Sequence, residues 1–244
     1  MSETYQLGLP LVQAAQAQKH VTVNEALAKL DGLTQLTLES ITVTVPPVSA
    51  DDGTAYGVPF GAVNDWVGHE GEVAIWSNGG WVFSVPRAGW RGYVTDAASA
   101  VAHDGAGWVN GALAVSPNGA ASRFEVVEFY HVFGAEAVST TSVLIPQYAM
   151  VYAVTGRVKT TITGAVTSFD IGLAGANNRY GSGLGLAQGS WLVGITGQPV
   201  TYYSDTALQI TANGGNFAAG ELRLALHYYL PTPPSIVSAA LSPS

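Results

Sequence analysis

The sequence predicts a mainly β protein: an N-terminal amphipathic helix, a small Trp-rich β module, and a C-terminal antiparallel β-sandwich of jelly-roll-like character. Three observations carry this reading. Only one stretch, within residues 7–38, has apolar residues recurring at three- and four-residue steps, as a helix face requires. From residue 41 onward, short runs rich in β-branched and aromatic residues alternate with polar ones and are punctuated by Gly, Asn, Asp and Pro. Of the six Trp residues, five fall between positions 66 and 108, while the chain beyond residue 122 carries strand-length runs with Gly/Asn turns between them.

Residues 1–40 form an arm and a helix. Residues 1–21 read as an extended arm, which can dock on a neighbouring subunit or fray. Thr22 and Glu25 have the form of a capping box, in which the hydroxyl and the carboxylate each take a backbone N–H. Behind them Val23, Ala26, Leu27, Leu30, Leu33 and Thr37 make one apolar stripe, interrupted by Gly32 at a cost of about 1 kcal/mol relative to Ala. A helix this short is unstable alone. It packs either on the chain's own β-structure or on copies of itself, and in the second case Val23, Leu27, Leu30 and Leu33 are the oligomerisation or docking residues.

Residues 41–110 form the Trp-rich module, with Trp66, Trp76, Trp81, Trp90 and Trp108. Asn78-Gly79 and Asp104-Gly105 are hairpin turn signals, each between two short strand runs. Trp spaced in this way supplies burial that short strands otherwise lack, which favours a core over a sugar-stacking platform. Residues 111–122 are small and weakly patterned and read as a linker. Residues 123–231 form the sandwich, with strands expected at 124–133, 138–145, 150–155, 158–162, 168–173, 192–195, 200–203, 207–211 and 221–230. Residues 232–244 form a Pro/Ser-rich tail that joins a sheet poorly.

Composition narrows the function. Net charge is −8, which disfavours phosphate-backbone binding and anionic membranes, so neither nucleic acid nor membrane insertion is expected. Cys is absent, which removes disulfides and thiolate metal sites. Charged residues make up only 11%, as in chains that bury surface against partners. No signal peptide is evident, so synthesis in a bacterial cytoplasm without secretion is expected. His20, His69, His103, His131 and His227 show no metal-ligand spacing, and no nucleophile elbow occurs. Neither a metal nor a cofactor is expected. Gly181, Gly183 and Gly185 form a glycine ladder with no helix after it, which fits close backbone approach, as at an axis between subunits, better than a phosphate cradle. An enzyme is not expected, although a glycosidase would need two neighbouring acids from Glu125, Glu128, Glu136, Asp170, Asp205 and Glu221. For glycan binding, aromatic faces beside Asn and Arg are the useful chemistry. The candidates are Asn177, Asn178, Arg179 and Tyr180 in an expected loop, the lone Trp191, and Tyr202 and Tyr203 at a strand end.

The runs GLPL at 8–11, AQAQKHVT at 15–22, NEAL at 24–27 and LD at 30–31 resemble the opening of a domain-of-unknown-function family. That family is common in phages, prophages and gene transfer agents of alphaproteobacteria, usually in fibre or spike proteins. Val23 departs from it, where a more polar residue is expected. The similarity continues through the Trp-rich region to Trp108, and residues 213–217 and 222–231 look like a C-terminal part often found with the family. The resemblance implies a tail fibre or head spike at the surface of a virion or phage-like particle. Such a subunit is expected to form a homotrimer, to hold other particle proteins through its N-terminal region, and to serve host attachment as a receptor-binding protein for cell-surface polysaccharide. Two alternatives remain: a purely structural head or tail decoration, and a capsule-degrading tailspike.

Overall fold

The computed structural model describes residues 3–12 and 19–234. The expected motif residues at 15–18 and most of the expected tail lie outside them. The chain divides into two compact units, one of residues up to Ala121 joined by Thr232 and beyond, the other Ser122–Pro231.

In the first unit, helix α1 spans Lys19–Leu33. Thr22 and Glu25 therefore sit inside the helix rather than at its cap, and the capping box does not form. Nothing before Thr22 breaks a helix, so the first turn begins earlier, and Glu25 instead pairs with Lys29 at 3.6 Å. The helix ends where Gln35 takes a left-handed conformation (φ 54°) and the Thr34 hydroxyl donates to the Leu30 carbonyl. Strands β1 (Thr37–Leu38), β2 (Ala55–Gly57), β3 (Val73–Ser77), β4 (Gly80–Ser84), β5 (Arg91–Val94), β6 (Ser99–His103), β7 (Trp108–Asn110) and β8 (Ala112–Val115) follow, with a 3-10 turn at Asn64–Trp66. Strands β1 to β7 build the sheets β1-β5-β6-β7 and β2-β3-β4. Asn78 and Gly79 both have positive φ, which gives the β3–β4 turn a twist matching its strands. The residues expected as a linker, 111–122, are instead β8, a turn closed by the Ser116 and Ala120 backbones, and the start of the next strand.

Trp66 is buried, and Trp76, Trp81 and Trp108 are half-buried in aromatic clusters. Trp66 is fully buried among Val58, Ala62 and Ala74, and its ring lies 5.2 Å from Trp81 and 5.3 Å from Tyr56. Trp76 and Trp81 face each other across β3 and β4 with rings 4.9 Å apart. The indole N–H groups of Trp66, Trp81 and Trp108 are buried with no hydrogen-bond partner among the described residues, so these rings serve burial rather than recognition.

The arm is not a free extension. Asp31, almost fully buried, accepts from the Thr4 hydroxyl (2.7 Å), the Gln6 N–H (2.9 Å) and the Leu7 N–H (2.7 Å). Asn24 clamps Val12 by donating to its carbonyl and accepting from its N–H. Gly32 lets α1 approach β3: a Cβ there would lie 2.8 Å from Ile75 Cδ1.

The second unit is a two-sheet sandwich. Its strands are β9 (Ala121–Val132), β10 (Val138–Ile145), β11 (Met150–Gly164), β12 (Ser168–Leu173), β13 (Ala176–Leu184), β14 (Trp191–Thr201), β15 (Thr206–Asn213) and β16 (Phe217–Thr232). One sheet runs β10-β15-β12-β13, and the other contains β14-β11-β16-β9. Inward residues of both sheets, including Phe169, Ile171, Leu208 and Ile210 from one and Val154, Val158, Leu222, Leu224 and Leu226 from the other, share a single core. Two pairs of expected strands merge: 150–155 with 158–162, where the pairing with β16 runs unbroken from Thr155 to Val158, and 192–195 with 200–203, where a bulge rather than a turn separates the halves. The expected loop at 177–180 is part of strand β13.

The glycine ladder serves this unit internally. Gly183 has φ 63°, and a Cβ on Gly181 would lie 3.0 Å from Leu184. Asp170 accepts from the Gly183 N–H, the Ser182 hydroxyl and the Asn213 amide at 2.8–3.0 Å. Burial pushes its pKa up, but these donors outweigh burial and hold it below the ordinary carboxylate value.

Candidate functional site

A sandwich needs only one apolar face per sheet. The sheet containing β14, β11, β16 and β9 has two. On β9, Phe129 and His131 point into the core, while Phe124, Val126, Glu128, Tyr130 and Val132 point outward, with Val126 61% and Val132 68% exposed. On β14, Leu192 and Gly194 point inward, and Trp191, Val193 and Ile195 point outward at 66%, 53% and 72% exposure.

The outward face has a polar end and an apolar end. At the polar end, strand register puts Trp191, Arg157 and Arg223 in one row across β14, β11 and β16. Arg157 donates to the Gly189 carbonyl at 3.1 Å. The Arg223 guanidinium lies 3.7 Å from Glu128, donates to the Tyr130 hydroxyl and sits 4.9 Å from the Tyr130 ring centre. Lys159 also lies over that ring, at 4.4 Å, and pairs with Glu221 at 3.4 Å. An open cleft of about 340 Å³ runs along this row, lined by Trp191, Val193, Arg157, Thr155, Arg223 and Glu128. It offers an aromatic slab, two guanidinium groups, a carboxylate and a hydroxyl, which is the chemistry of a saccharide contact. At the apolar end, Phe124 lies 5.7 Å from Tyr152 and 5.5 Å from Tyr229, ring centre to ring centre.

The residues expected to bind glycan do not form one cluster. Trp191 is on the open face. Asn177, Asn178 and Arg179 are exposed on β13, the edge strand of the other sheet. Tyr203 is 76% exposed in the turn after β14. Tyr180 and Tyr202 belong to the core: they are 3% and 6% exposed, their hydroxyls are 2.6 Å apart, and burial raises the pKa of Tyr180. As ligand contacts these two are corrected, because the alternation of β13 turns Tyr180 inward. In the sequence Arg157, Arg223 and Tyr130 do not stand out, and Glu128 enters only as one of six acids for a glycosidase. Their strands are far apart in sequence, and only register brings them together; the period-two pattern at 124–132 was the one visible signal.

All six acids of the second unit are engaged: Glu125 with Arg123 and Tyr228, Glu128 with Arg223, Glu136 with Ser139, Asp170 as above, Asp205 with the Gln147 N–H, and Glu221 with Lys159.

The first unit has its own exposed apolar surface. Helix α1 turns Asn24, Ala28, Asp31 and Gly32 toward the arm and β3. Its expected docking stripe therefore faces outward, with Val23 42% and Leu30 54% exposed and Leu27 half-buried, while Leu33 packs on the core of the unit.

Architecture and site define a two-unit β protein with outward apolar and aromatic faces. Residues 23–109, all within the first unit, match a family described as "Protein of unknown function (DUF2793)". No curated protein matches the chain. Among solved structures, a chain of the cyanophage Pam1 capsid asymmetric unit is similar over 45% of this chain and 86% of that chain, with 25% identity and a TM-score of 0.37. A likeness of that degree carries no argument about fold or role.

Proposed function

We propose that the protein is a fibre or spike subunit at the surface of a phage-like particle, and that it attaches to host cells by binding polysaccharide. The particle context is supported by the resemblance of the opening residues and by the family match over 23–109. One observation carries the attachment reading: Trp191 lies two-thirds exposed on an open cleft beside Arg157, Arg223 and Glu128. The outward stripe of α1 serves assembly, as a homotrimer and with other particle proteins.

The test uses the full chain, with its mass measured in solution. Binding to capsulated host cells and none to acapsular cells is expected. Equal binding to both, or to neither by a folded oligomer, contradicts the attachment reading. A monomer at micromolar concentration contradicts the assembly reading. A purely structural decoration is the second reading, favoured by the apolar end of the sheet face, where Phe124, Val126 and Ile195 suit packing on a neighbour.

A further inference from the structure

Resting on that reading, we propose that the cleft selects an anionic glycan, a polymer of carboxylated pyranoses, with a sugar face on Trp191 and a carboxylate on Arg157 and Arg223. Strand pairing makes the three residues direct neighbours: Trp191 opposite Arg157, and Arg157 opposite Arg223. Adjacent strands are about 4.8 Å apart, so the row spans the scale of one sugar and its exocyclic carboxylate. Arg157 and Arg223 stand at paired positions on this face, one guanidinium held at the Gly189 carbonyl on the β14 side and the other beside Glu128 and Tyr130 on the β9 side. Glu128 answers only one of them, reaching the Arg223 Nε at 3.7 Å. Arg157 spends one Nη on the Gly189 carbonyl, which fixes its direction and leaves its other N–H groups for a ligand.

The charge balance points the same way. The chain as a whole carries −8, yet the cleft lining has two Arg against one Glu. With a screening length of about 8 Å at physiological salt, a bound sugar responds to the local pair more than to the distant acids. Arg presents a planar fork that matches a carboxylate in two parallel hydrogen bonds, while an indole face takes the C–H side of a ring. A neutral sugar would stack on Trp191 and hydrogen-bond through its hydroxyls, but would gain no charge-assisted pair from the two Arg residues.

Full-length protein is titrated with polygalacturonate, with the same polymer after its carboxylates are reduced to hydroxymethyl groups, with dextran and with dextran sulfate. Polygalacturonate is expected to bind at least about tenfold more tightly than its reduced form or dextran, and to weaken as salt rises. Arg157→Gln is expected to remove that tenfold preference, and Trp191→Ala to weaken every sugar. Equal affinity for the reduced and carboxylated polymers, or for dextran sulfate and polygalacturonate, overturns the carboxylate assignment while leaving polysaccharide attachment standing. Failure of every polymer to bind also overturns this inference, and capsule-dependent cell binding by the same preparation then shows whether the attachment reading has failed with it.

Discussion

Trp66 and Trp191 are the same residue in opposite situations. Trp66 ends a short 3-10 turn in a unit built of short strands and is fully buried against Trp81, Tyr56 and three small apolar residues. Trp191 opens a long strand in a unit whose core is already filled by aliphatic residues, Phe and Tyr from two sheets, and it points away from that core. In the first unit a large ring stands in for the area that short strands lack. In the second, packing does not need it, and its exposure calls for another explanation.

The comparison can be broken by substitution. Trp66→Ala is expected to destabilise the first unit by about 3–5 kcal/mol, while Trp191→Ala stays within about 0.5 kcal/mol of wild type. Denaturant unfolding followed by circular dichroism measures both, and similar losses would erase the distinction. Asp31→Ala removes the acceptor of three arm hydrogen bonds, with an expected loss of about 1–3 kcal/mol. Amide exchange at Gln6 and Leu7 should accelerate, and unchanged exchange would show that the arm is held by other contacts.

The smallest effect is a pH dependence. His131 is buried beside Ser139, and its pKa lies below the ordinary 6.5 chiefly through burial, opposed by Glu136. His103 is lowered by burial too, against the opposing influence of Asp104. The unfolded chain therefore binds protons more readily than the folded one, so stability is full above pH 6.5 and declines as pH falls below it. Melting temperature should drop between pH 7 and pH 5, and less so in His131→Gln. A flat profile in wild type would contradict the assignment.

Much of this architecture was legible in the sequence. Strand alternation, the Asn78-Gly79 turn and the Trp clustering follow from local chemistry that acts over a few residues. The Thr22–Glu25 cap was misread because a capping box is a permissive pattern, and nothing upstream prevented the helix from starting earlier. That α1 sets Asn24 and Asp31 inward beside Ala28 and Gly32 was not legible: it depends on Asp31 and Asn24 meeting arm residues 27 and 12 positions away in sequence. The site was half legible. Trp191 stood out by its isolation. Arg157 and Arg223, more than 60 residues apart, become neighbours only through the β11–β16 register. Tyr180 reads as surface because its strand contains Asn and Gly, residues that usually mark a loop, and Tyr202 because it stands beside Tyr203 at a strand end.

The central claim is that the outward Trp191 face is a polysaccharide contact, and the most direct measurement compares wild type with Trp191→Ala for retention on capsulated host cells. The account predicts that the variant keeps its fold and oligomeric mass and loses capsule-dependent retention. Retention at the wild-type level by the folded variant would contradict it.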